Sequence, residues 1–201
     1  MIKKLLAKYP KNLSTFIKLR FLICPFDEIA TLIPNKGRLL DIGTGYGLFP
    51  NYLKDIKPQL NITAIDYDKK RIEVAKTTTK NIQFKACDAT QVKREKYDII
   101  LLIDLLHHID YQKQETLIKL CKSMLNKGGI LLIKDLDTRN PFKYLWNYAH
   151  DIVVARQFPL FYRTERSMAQ LLKDNQFKVT IKRVGTIWQP YNHKAYICST
   201  R

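Results

Sequence analysis

The chain has 201 residues, 46% of them hydrophobic, with only 7 glycines and 8 prolines. That is enough apolar material to bury one α/β core, and it excludes a disordered or low-complexity protein. The formal net charge of +17, from 35 basic and 18 acidic residues, favours anionic partners such as nucleic acid, acidic lipid surfaces or anionic small molecules; 25 of the basic residues are scattered lysines, so a solvated surface accounts for the same balance.

The first twenty residues carry Lys3, Lys4, Lys8, Lys11, Lys18 and Arg20 and no acid. Ile2, Leu5, Leu6 and Tyr9 share a helical face, Pro10 interrupts it, and Leu13, Phe16, Ile17 and Arg20 resume it before Pro25. A third short helix is expected from Phe26 to Ile33. This basic amphipathic segment could rest on an acidic membrane surface. Strands are then expected at Arg38–Ile42, Asn61–Asp66, Ile82–Lys85, Tyr97–Ile103 and Gly129–Lys134, with helices over Asp68–Thr79 and 111–125, the latter stopped by Gly128–Gly129. Ile99 to Ile103 is apolar at every position, as in a parallel strand buried on both faces. A helix over 166–175 and strands at Phe177–Val184 and Lys194–Ser199 close the chain.

The alternation predicts an α/β fold: a mostly parallel seven-stranded sheet with helices on both faces and the last strand antiparallel. Two strands in succession at the end suggest one antiparallel strand at the sheet's edge. Residues 138–165 fit no repeat of the pattern and hold Phe142, Tyr144, Trp146, Tyr148, Phe158, Phe161 and Tyr162, which reads as a helical insertion after the fifth strand. The whole is one domain over 1–201, with N-terminal helices over 1–35, a core over 36–137, the insertion over 138–165 and a C-terminal unit over 166–201. Cys24, Cys87, Cys121 and Cys198 form no CxxC pair and have no zinc-ligand spacing, so no metal is expected and buried thiols in a reducing cytoplasm are. The N-terminus shows no apolar segment followed by a cleavage site.

The strongest chemical signal is Leu39-Leu40-Asp41-Ile42-Gly43-Thr44-Gly45-Tyr46-Gly47, a strand running through a glycine turn into a helix. Glycines allow close backbone approach to a ligand, and the helix N-terminus behind them favours an anion. Leu48 stands where a dinucleotide fingerprint has its third glycine, and Asp41 would repel pyrophosphate. A ligand bearing both an ammonium and a carboxylate suits the site better. Asp66 ends the second strand 25 residues after Asp41, where a carboxylate can take ribose hydroxyls. Asp88 follows the third strand and can accept from an exocyclic amine, and Asp104 ends the fourth.

These motifs resemble those of the class I, Rossmann-like S-adenosylmethionine-dependent methyltransferases. Leu39–Gly47, Ala64–Asp68, Lys85–Ala89, Tyr97–Ile109 and Leu125–Leu131 stand in the family's order and cover about residues 36–136. The resemblance implies S-adenosylmethionine as cofactor and S-adenosylhomocysteine as product. It implies that Asp41, Gly43, Thr44 and Gly45 hold the methionine end, Asp66 the ribose and Asp88 the adenine amine. Tyr67 or Ala89 would line the adenine slot, and Asp104 would lie near the transferring group. It also implies that the N-terminal helices form a lid.

The Leu106-His107-His108-Ile109 run is similar to the small-molecule branch of the family, and either histidine could contact the acceptor or act as base. His150 and Tyr162 are further catalytic candidates, and Arg163 could pair with an anionic acceptor. The acceptor expected is a small or lipid-like molecule methylated on O, N or C, with the aromatic insertion walling an apolar pocket. Two alternatives stay open: an RNA-modifying enzyme using the basic surface, and a non-catalytic cofactor-binding relative. Asp104-Leu105-Leu106-His107 lacks the Pro-Pro-aromatic pattern of amino-methylating DNA enzymes. Oligomeric state is not legible.

Overall fold

The computed structural model describes residues 2–92, 95–137, 145, 159–186 and 191–200. Seven strands, β1 (Lys36–Ile42), β2 (Gln59–Asp66), β3 (Gln83–Ala86), β4 (Tyr97–Ile103), β5 (Leu125–Leu136), β6 (Phe177–Arg183) and β7 (His193–Thr200), form one sheet. Its order is β3-β2-β1-β4-β5-β7-β6. β1 to β5 pair in parallel, and β7 runs antiparallel to both β5 and β6. The α/β architecture with a largely parallel sheet is the one the alternating pattern predicts.

Strand alternation sends neighbouring side chains into two cores. Leu39 points to one, with α4 (Leu48–Ile56), α5 (Lys69–Thr78) and the N-terminal helices α1 (Ile2–Leu6), α2 (Ser14–Ile23) and α3 (Phe26–Thr31). Leu40 points to the other, with α6 (Tyr111–Met124) and α7 (Glu165–Asp174). In the centre, Ile99, Ile100, Leu101 and Leu102 of β4 are fully enclosed. Each such side chain contributes roughly 1.5–3 kcal/mol of burial free energy. Asp68, Asp110 and Thr164 cap α5, α6 and α7 by accepting backbone N–H groups of their first turns.

Three expectations need correction. α6 ends at Met124, and Leu125 already pairs with Tyr97; Asn126 to Gly129 bulge between that pair and Ile99–Ile130, with Gly128 at φ 76°. The antiparallel strand is not at the edge. β7 takes the inner slot because Ala195, Tyr196 and Cys198 are buried there, while β6 carries Lys178, Lys182 and Arg183, charges that suit an exposed edge. Residues 159–164 form no helix: Phe161 N–H donates to the His107 carbonyl (2.8 Å), and the Gln114 side-chain amide donates to the carbonyls of Leu106, Ile109 and Phe161 (each 2.9 Å), strapping the segment down. Most of the expected insertion, including His150, lies outside the described residues.

Gly47 caps α4 in the left-handed region, at φ 73°. A Cβ there would stand 2.6 Å from Phe84 Cε1 of β3. Gly47→Ala is therefore expected to cost about 2–4 kcal/mol through backbone strain plus overpacking, read as a lowered urea midpoint at unchanged slope.

Candidate active site

A cavity of about 400 Å³ opens at the carboxyl ends of β1, β2 and β4. β1 lies between β2 and β4, so the connections diverge here, and open α/β sheets bind ligands at such a point. One half of the cavity is the glycine turn. Gly43 and Thr44 N–H both donate to the Ile65 carbonyl (2.9 Å each), which pins the turn to β2. Asp66 accepts from Gly45 N–H (2.7 Å) through one carboxylate oxygen and from Asp68 N–H (2.9 Å) through the other. The carboxylate thus ties the turn after β1 to the turn after β2, and it remains on the cavity wall. Its oxygens keep lone pairs for a ligand.

Asp41 is buried at the end of β1. Burial raises its carboxyl to about 7; the Thr44 hydroxyl opposes this and the Asp66 charge adds to it. Gly45 has open space where a Cβ would stand, and its φ of 57° belongs to glycine. No side chain caps the N-terminus of α4, so its leading N–H groups remain available at the wall beside Leu48. An anionic group beside a cationic one fits this half: N–H donors and a glycine cradle for the first, Asp41 for the second.

The other half is charged and deeper. Asp104, at φ 50°, follows β4 and donates its N–H to the Lys134 carbonyl (2.8 Å). Its carboxylate accepts from Lys134 Nζ (2.5 Å) on β5 and from Arg20 Nη2 (2.5 Å) on α2. Burial alone would raise the Asp104 carboxyl, but the charges of Lys134 and Arg20 outweigh it and hold the group well below the carboxylate range. His107 and His108 also line the cavity. His107 Nδ1 lies 2.5 Å from the Asp135 carboxylate, and its ring stacks on Tyr162 at 5.1 Å. His193, at the start of β7, is 1% exposed and lines the same end.

Asp41, Gly43, Thr44, Gly45, Asp66, Tyr67, Asp104, His107 and His108 therefore meet in one cavity. Asp88, Ala89 and Tyr162 stand outside its lining. Asp88 instead caps the turn at Ala89–Gln91, accepting from the Thr90 N–H (2.7 Å) and hydroxyl (2.6 Å), bonds that lower its carboxyl. Tyr162 backs His107 from behind. Arg163 is spent on Gln114 (2.6 Å) and Ser167 (3.0 Å) and lies over the Tyr111 ring. Sequence reasoning missed Lys134, Asp135 and His193 as site residues, and read Arg20 only as part of a helical face. Lys134-Asp135 did carry a signal: charges that interrupt an apolar strand at its carboxyl end have to be paired or face a site. Among the described residues, no group of three or more metal-ligating side chains forms, and no helix is long and apolar enough to cross a membrane.

The fold and cavity define a ligand-binding protein of the Rossmann-like class. A family profile described as "Methyltransferase domain" matches residues 16–181, and the chain belongs to that family. It is 26% identical over 143 residues to protein 235L of Invertebrate iridescent virus 6, described as a methyltransferase; the match covers 60% of this chain and 54% of that one. It is 37% identical over 67 residues to the malonyl-[acyl-carrier protein] O-methyltransferase of Bacillus anthracis, covering 32% of this chain and 25% of that one. The aligned segments thus span about half of the first relative and a quarter of the second. A solved structure with the same fold is the 1,6-didemethyltoxoflavin-N1-methyltransferase of Burkholderia thailandensis, bound to its acceptor and S-adenosylhomocysteine (TM-score 0.70, 17% identity, 99% of this chain and 88% of that one).

Proposed function

We propose that this protein transfers a methyl group from S-adenosylmethionine to a small or lipid-like acceptor. The observation that carries the reading is the Asp66 carboxylate bridging two turns at the switch point of the sheet, beside a glycine cradle and the buried Asp41. In this reading Asp66 holds the ribose hydroxyls, and Gly43, Thr44 and Gly45 with the start of α4 hold the amino-acid carboxylate. Asp41 faces the ammonium, and Tyr67 covers the rim. The cofactor supplies an already activated methyl on a sulfonium, so the protein's work is alignment and exclusion of water. Asp88 serves the adenine amine through Oδ2, since both Thr90 bonds fall on Oδ1. The N-terminal helices act as a lid: Leu13, Phe16, Leu19 and Ile23 give the cavity an apolar wall, which favours a small or lipid-like acceptor over a polynucleotide.

The test is calorimetric titration of the full chain with S-adenosylhomocysteine, where absence of binding defeats the reading. RNA binding that persists at physiological salt would favour the polynucleotide alternative. A pH dependence is also expected. The ligand's ammonium favours ionised Asp41, so binding releases a proton, about half per molecule near pH 7. Affinity should climb as pH rises toward 7, level off above it, and fall by up to about tenfold per unit below it. Asp41→Asn should flatten that profile. In the ligand-free protein the sign on stability is the reverse. A raised carboxyl leaves stability intact below the ordinary carboxylate range and costs it as pH rises through about 7.

A further inference from the structure

The deep end of the cavity presents two unused N–H donors and one unused acceptor on the same face of the sheet. The Lys134 side chain is fully buried, and Asp104 is the hydrogen-bond acceptor that its ammonium finds among the described residues. An ammonium has three N–H donors, so two remain. His193 Nε2 lies 3.0 Å from the Ile23 carbonyl, which has to be met by an N–H; Nδ1 then carries the lone pair, and it has no partner among the described residues. Lys134 faces Ala195, and Leu136 faces His193, across the β5–β7 pair. Lys134 and His193 therefore share a face, one diagonal step or roughly 7 Å apart. Apolar Leu136, Ile23 and Tyr191 surround them on the wall.

We propose that Lys134 and His193 form the acceptor subsite for a weakly acidic hydroxyl, such as an enol or a phenol, and that the methyl is transferred to that oxygen. The proposal rests on the methyltransferase reading above. Lys134 donates to the hydroxyl oxygen while His193 Nδ1 accepts its hydrogen. An oxygen has two lone pairs, so it can accept from Lys134 and still attack; an amine nitrogen has one, and the same contact would consume it. A cationic amine would also meet Lys134 and Arg20 against the single Asp104 carboxylate.

As the acceptor oxygen bonds the methyl carbon, the pair of the broken carbon–sulfur bond stays on sulfur. The O–H pair stays on oxygen, and the proton passes to His193 Nδ1. Burial, with the Lys134 charge, holds the imidazole down to about 3, so its lone pair is free throughout the neutral range. An oxygen that has just gained a methyl is acidic enough to protonate so weak a base, and the nearby Asp104 carboxylate favours the imidazolium formed.

The test uses the full chain saturated with S-adenosylhomocysteine and titrated at about pH 6 with 4-nitrophenol, 4-nitroanisole and 4-nitroaniline, a pH at which the phenol is largely un-ionised. The phenol should bind about tenfold more tightly than the ether, which cannot donate to His193, and at least about tenfold more tightly than the amine, which cannot accept from Lys134. His193→Phe should bring it to within about twofold of the ether, which lacks only the hydrogen that Nδ1 accepts, and Lys134→Met should bring it to within about twofold of the amine, which lacks the second lone pair, while affinity for S-adenosylhomocysteine and cooperative melting are retained. Equal binding of all three probes, binding of none, preference for the amine, or a preference over the ether that survives His193→Phe overturns the proposal. Nitrogen NMR of histidine-labelled protein gives an independent reading. A bare Nδ1 on His193 that shifts on adding 4-nitrophenol supports it, and a doubly protonated ring in the free protein overturns it. Wild-type protein that fails to bind S-adenosylhomocysteine would defeat the methyltransferase reading first, so the two failures are told apart.

Discussion

Asp104→Asn is expected to destabilise the protein by about 3–5 kcal/mol, the usual cost of leaving a buried charge without its partner. Lys134 is fully enclosed and Arg20 partly so, and both donate to this carboxylate. The amide is nearly the same size, so packing is preserved, yet it brings no charge and turns an NH2 toward a cation. Urea denaturation measures the effect, and the melting temperature should fall by roughly 10 °C. The double variant Asp104→Asn/Lys134→Met should recover much of the loss, because the stranded cation is removed while its aliphatic bulk stays. A single variant as stable as wild type would mean that water reaches Lys134 and that the cluster is not dry.

Asp66→Ala is expected to weaken S-adenosylhomocysteine binding by more than about 100-fold. Two charge-assisted hydrogen bonds to ribose hydroxyls are worth roughly 3 kcal/mol or more together, and about 1.4 kcal/mol is tenfold in affinity. The loss also propagates through the protein. Gly45 N–H and Asp68 N–H both depend on this carboxylate, so the glycine turn loses its tie to the turn after β2. Asp66→Asn keeps one acceptor oxygen and should fall between the two. Titration calorimetry decides the matter, with circular dichroism to verify folding. Affinity within a few-fold of wild type would remove Asp66 from the ligand.

The parallel core and the glycine-turn half of the cavity were legible because their signals are local. Ile99 to Ile103 reads as a doubly buried strand from composition alone, and Asp41 to Gly47 places a carboxylate and a turn within seven residues. Asp66 ends the adjacent strand. The order of β6 and β7 was not legible. Both are short and alternating, and only the depth at which each is buried decides which lies inside. The deep end was obscured for a different reason. Arg20 reads only as one member of the helical face of Leu13, Phe16 and Ile17, and His193 stands just before the expected strand Lys194–Ser199. At Asp88 the local reading did not weigh Thr90, two residues on, which occupies one of the two carboxylate oxygens.

The two halves of the cavity are stitched with threads of very different length. Gly45 and Asp66 are 21 residues apart, whereas Arg20 reaches Asp104 across 84 and the Ile23 carbonyl meets His193 across 170. Contacts that close large loops lose more chain entropy before they form. The glycine-turn half can therefore take shape while the chain is still gathering its centre. The far end of the cavity closes only when segments near the two extremities of the polypeptide come together over it, so it is the last part of the wall that folding completes.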